Sequence, residues 1–163
     1  MESANRHPHA RIPSMRETAD HLGSIVDRAE RLLRTFGNDD AAAPVLQGGW
    51  SRKQLIGHLT DSACNNHQRF VRTALAGSLD WPSYDQSGWV NIQDYSEAPW
   101  PLILDAWSAM NRLLCHVLAH LPPEAAGMTC RIGDAAPISL KQLAQDYVSH
   151  MLHHLHQIGV PET

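Results

Sequence analysis

At 163 residues with 43% apolar side chains, the chain has the size and composition of one globular domain, which excludes disorder over its whole length. Its formal net charge of −4 comes from scattered acids and bases, so no basic patch offers itself to nucleic acid. No apolar run nears the roughly 20 residues that span a bilayer. Cys64, Cys115 and Cys130 are odd in number and form no C-x-x-C pair, so they read as reduced thiols in a cytoplasmic protein.

Residues 1–13 are polar, lack the apolar centre of a secretory signal and read as a disordered tail before a single domain over 14–163. A first helix is expected over 15–36, where Leu22, Ile25, Val26, Ala29, Leu32, Leu33 and Phe36 recur at three- and four-residue spacing. Gly37-Asn38 reads as its stop. A second helix follows the Ser51 cap and runs to Ala76 before Gly77. Trp50, just ahead of it, reads as a staple at its entrance.

The connection 78–98 is long for a bundle and carries Trp81, Tyr84, Trp89 and Tyr95, so an ordered, functional loop is expected. A third helix starts near Pro99 and Pro101 and ends at Pro122-Pro123. The link 122–138 suggests an irregular hairpin around Gly133-Asp134. A fourth helix opens on Ser139 and stops at Gly159 and Pro161. Four helices with these connections predict an all-α four-helix bundle with long crossover loops.

The last helix holds His150, His153, His154 and His156 within seven positions. At about 100° per residue, His154 lies about 40° from His150, and both fall inside the apolar stripe of Leu143, Tyr147 and Met151. His153 and His156 rotate toward the polar face. On the second helix His58 borders the buried face of Leu55, Leu59, Ala63 and Phe70, and a polar row of Ser51, Ser62, Asn65 and Arg69 runs beside it. Such a row is what a helix presents to a polar cavity. His58, His150 and His154 can therefore share one metal ion. His67 points away from this face, and His116 and His120 suit a helix C-terminal surface. No H-E-x-x-H is present, which removes the zincin mechanism.

Trp50-Ser51 followed by Leu55, Ile56, His58, Leu59, Asp61 and Ser62, then Arg69-Phe70, Tyr84-Asp85-x-x-x-Trp89 and His150-x-x-His153-His154-x-x-x-Ile158, resembles the DinB/YfiT-like metalloenzyme family, in particular its YfiT subgroup. The similarity spans residues 48–158. It implies an up-up-down-down four-helix bundle, a homodimer, and a divalent metal, zinc or nickel, on His58, His150 and His154. It also implies a reaction on a small molecule: transfer to a low-molecular-weight thiol cosubstrate, or hydrolysis. A non-catalytic metal-binding or dimerisation module is the alternative.

Three imidazoles leave a zinc-type centre an open position. Asp61, one turn past His58, reads either as an orienting or proton-accepting group or as a solvent-facing carboxylate. Gln157 is placed to hydrogen-bond a ligand or substrate. Arg69 suits the carboxylate of a thiol cofactor or a plain surface position. Tyr84, Asp85 and Trp89 form either a wall over the open position or ordinary loop packing.

Overall fold

The computed structural model describes residues 13–46 and 49–161, so all of the expected tail except Pro13 lies outside the described residues. Its long helices are α1 (Met15–Leu33), α3 (Arg52–Ala76), α5 (Trp100–His120) and α6 (Leu140–Gln157); shorter ones are α2 (Asn38–Ala42) and α4 (Gln86–Ile92). Three strands, β1 (Ser78–Trp81), β2 (Thr129–Ile132) and β3 (Ile138–Ser139), complete the described elements with a 3-10 turn at Pro123–Gly127.

Side-chain caps set the helix starts. Ser14 and Ser51 each accept a backbone N–H three residues on, from Glu17 and Gln54, whose side chains accept the cap N–H in return. Ser139 caps α6 in the same way through the Gln142 N–H. Gly77 ends α3 at φ 83°, a conformation that costs a side chain with a Cβ. The first helix is shorter than expected. It stops at Leu33, single turns carry Thr35 and Phe36, and Gly37, read as a stop, opens α2 as its N-cap.

In the bundle α1 and α3 each pack on both α5 and α6. Arg16 donates to the Ala119 carbonyl and Arg34 to Asp105, which fixes α1 and α5 antiparallel. The interior is closed by Leu22, Leu59, Phe70, Leu104, Trp107 and Met151, none exposed by more than 1%. Each such side chain contributes on the order of 1.5–3 kcal/mol on burial.

The sheet was not expected. The hairpin at Gly133-Asp134 exists as β2–β3, but β1, inside the long connection, pairs parallel to β2 with Ser78 opposite Thr129 and Trp81 opposite Ile132. This pairing ties the two connections together, and Ser83 and Tyr84 just beyond β1 line a cavity with Arg69 of α3. Among the described residues no helix is long and apolar enough to cross a membrane.

Candidate metal centre

His58 is fully buried on α3, and His150 and His154 are partly buried one turn apart on α6. Nε2 of His150 lies 3.2 Å from Nε2 of His58 and 3.2 Å from Nε2 of His154. The three rings stand nearly perpendicular to one another, at 83°, 83° and 87°. Tetrahedral zinc with nitrogens at about 2.0–2.1 Å sets adjacent ligand atoms about 3.3 Å apart, so this spacing fits one ion.

Hydrogen bonding among the rings cannot account for the arrangement. His154 Nδ1 donates to Oε1 of Gln157 at 2.8 Å, which leaves its Nε2 a bare lone pair. His150 Nε2 can donate one proton or accept one, so it satisfies at most one of its two neighbours. A cation satisfies all three. Burial, reinforced by the other two rings, pulls the His58 pKa down to about 4, and burial with His154 and His153 does the same to His150. Burial also lowers His154, against the opposing bond from Gln157. The rings are therefore neutral at pH 7, the form that binds metal.

The groups around the cluster divide into holders and walls. Gln157 orients His154 and turns its amide to His153, 3.2 Å from that ring's Nε2. Gln157 thus serves the cluster by holding a histidine, and His153, exposed, sits behind it. The Trp50 ring lies 5.4 Å from the His58 ring, so this residue covers a histidine as well as flanking the α3 start.

Asp61 is buried rather than solvent-facing. Its Oδ1 accepts from the Tyr95 hydroxyl at 2.7 Å and from Gln93 at 2.9 Å, and among the described residues no histidine bonds to it. Burial raises its pKa while these two bonds oppose the shift. Tyr95 gave no signal beyond being a loop aromatic. Its ring lies directly over Gly57, where any Cβ would overlap it, so a glycine before His58 is required by this contact.

A cavity of about 260 Å³ opens beside His150 and runs along α3 and α6. Ser62 and Arg69 of the expected polar row line it, but Asn66 takes the place expected for Asn65, and Ser51 is spent on the helix cap. Of the three loop candidates only Tyr84 reaches this wall. Asp85 caps α4 through the Gly88 N–H at 3.0 Å, and Trp89 packs on Tyr84 with ring centroids 4.9 Å apart. Tyr84 is pushed up to about 12 and Tyr147 well above its ordinary value, both by burial, so each remains a hydroxyl donor at neutral pH. His67, His116 and His120 stand outside the cluster.

A sequence model described as the DinB superfamily matches residues 27–158. A protein named "Putative metal-dependent hydrolase" from Bacillus pumilus is 29% identical over 140 residues, which cover 85% of this chain and 79% of that protein. A protein with the same description from Oceanobacillus iheyensis is 28% identical over 140 residues, 82% of this chain and 79% of its own. In fold the chain is similar to YfiT from Bacillus subtilis, described as a probable metal-dependent hydrolase with an unusual four-helix bundle topology. The TM-score is 0.82 at 20% identity, over 94% of this chain and 89% of that one.

Proposed function

Because the chain belongs to the DinB superfamily, we propose that it is a metal-dependent hydrolase of a small molecule, working at His58, His150 and His154. The observation that carries this reading is the convergence of three imidazole nitrogens with no fourth protein ligand joining them among the described residues. Structural zinc centres close their sphere with four protein ligands, whereas catalytic ones keep a position for substrate or water. Zinc suits three neutral imidazoles, and nickel is the second choice.

A divalent ion bound there supplies Lewis acidity to the water or thiol that reaches its open side. The chain's own groups do the rest. Gln157 keeps the His154 lone pair aimed inward. Trp50 shields the His58 ring from one side. Tyr84 lines the adjoining cavity and offers its hydroxyl proton to a polar substrate group, while the Tyr147 hydroxyl donates to Asn111 within the core.

Transfer to a low-molecular-weight thiol is the second reading, favoured by one observation: the Asp61 Oδ1 is held by Gln93 and Tyr95, and among the described residues no carboxylate joins the three histidines. A thiol ionised at a metal needs no carboxylate base. The two readings separate in one experiment. Protein stripped and reloaded with zinc or nickel is given p-nitrophenyl esters without thiol, and monochlorobimane with a series of thiols. Metal-dependent ester cleavage lost in His154→Ala supports the hydrolase, and thiol consumption lost in that variant supports the transferase. Metal binding without either turnover leaves the non-catalytic module.

A further inference from the structure

We propose that Arg69 is the counter-ion for a substrate carboxylate bound in the cavity beside His150, a substrate class that deepens the enzymatic reading above and rests on it. Arg69 is only 7% exposed and lines that cavity. Its Nε is buried with no hydrogen-bond partner, and its one hydrogen bond, from Nη1 to Oδ1 of Asn66, is long at 3.4 Å. Among the described residues it forms no ion pair. Asp146, the acid on the same wall, is exposed and bonded to Gln142 instead.

A guanidinium stays charged at neutral pH, and holding it out of water without a partner is unfavourable until an anion arrives. Burial lowers its pKa from an ordinary value far above neutrality, so the charge persists. Nη2 makes no hydrogen bond and, unlike Nε, is not enclosed, so with the weakly held Nη1 it presents an edge that matches the two oxygens of a carboxylate. Charge selects the anion: Arg69 is the only Lys or Arg on this wall among the described residues, and Asp146 opposes it, so a monoanion fits better than a phosphate dianion.

Spacing limits the ligand further. Arg69 follows His58 by 11 residues on α3, a rise of about 16 Å, and its contact with Asn66 brings the guanidinium back by about 4 Å. A substrate reaching from the histidines to Arg69 therefore spans on the order of 12 Å, the length of three to four extended residues.

The probes are N-acetyl-glycylglycine and its C-terminal amide, with benzoate and phenyl phosphate as a second pair. Binding is followed by calorimetry and by the NMR signal of the Arg69 Nε–H, in zinc-loaded and in chelator-stripped protein. The acid is expected to bind at least tenfold more tightly than the amide in both forms, and to shift the Arg69 signal. Arg69→Met removes the preference and Arg69→Lys retains part of it. Equal or undetectable binding of acid and amide to the wild type overturns the proposal without need of any variant. So does a preference that survives Arg69→Met, tighter binding of phenyl phosphate than benzoate, or a preference lost on stripping, which would assign the carboxylate to the metal. Metal content measured on the same samples tests the histidine centre separately.

Discussion

Replacing Gly57 by alanine reverses the usual sign of that substitution. In the interior of a regular helix, Gly→Ala stabilises by about 1 kcal/mol, and Gly57 lies well inside α3. Here the new methyl group overlaps the Tyr95 ring, whose hydroxyl bonds the buried Asp61 at 2.7 Å. Overpacking of this kind costs about 1–3 kcal/mol. If the ring moves away to escape it, a hydrogen bond to a carboxylate worth about 1.5–3 kcal/mol goes instead. Subtracting the helix gain, Gly57→Ala should destabilise the protein by up to roughly 2 kcal/mol. Urea unfolding gives the value, and the same substitution in a Tyr95→Ala background isolates the cause. With the ring gone, Gly57→Ala should be neutral or stabilising. Stabilisation of equal size in both backgrounds would refute the close approach.

Gln157→Leu keeps the bulk but removes the acceptor for His154 Nδ1, and metal affinity should fall roughly 10- to 100-fold in a competition with a chelating dye. Unchanged affinity would show that Gln157 does not orient the ligand. The pH dependence of the metal-free protein has a definite sign. His58 has its folded pKa at about 4, below its ordinary 6.5, so between these values the unfolded chain binds the extra proton and stability falls with falling pH. The contribution of His58 is complete above pH 6.5 and drops by about 2 kcal/mol at pH 5, from the same linkage. Urea melts in chelator at pH 7.5 and 5 measure this, and the loss should shrink in His58→Gln. Metal binding at pH 6, where a metal-bound water is still largely protonated, should release few protons, since the His58 and His150 rings are already neutral. Calorimetry in buffers of different ionisation enthalpy counts them, and release of more than one proton would contradict the lowered pKa values.

The helices and their caps were legible because local chemistry decides them: Ser51 and Ser139 each sit one residue before a regular amphipathic run. The same regularity let a 100° rotation separate His150 and His154 from His153 and His156. His58 was placed at a margin, yet it is fully buried, because Trp50 and the α6 histidines cover a side that no periodicity on α3 reveals. Asp61 failed as a solvent carboxylate for a related reason. Its partners Gln93 and Tyr95 lie 32 and 34 residues away, across a connection whose course the sequence does not display. The sheet was illegible because strands of four and two residues are too short to show a period, and β1 finds its parallel partner some 50 residues later.

X-ray absorption on zinc-loaded protein tests the three-histidine centre most directly. Wild type should bind one ion per chain through three imidazole nitrogens at about 2.0–2.1 Å and non-protein oxygen. His58→Ala, His150→Ala and His154→Ala should each lose the ion. A sphere containing a fourth protein ligand, or metal retained by all three variants, would contradict an open centre at these residues.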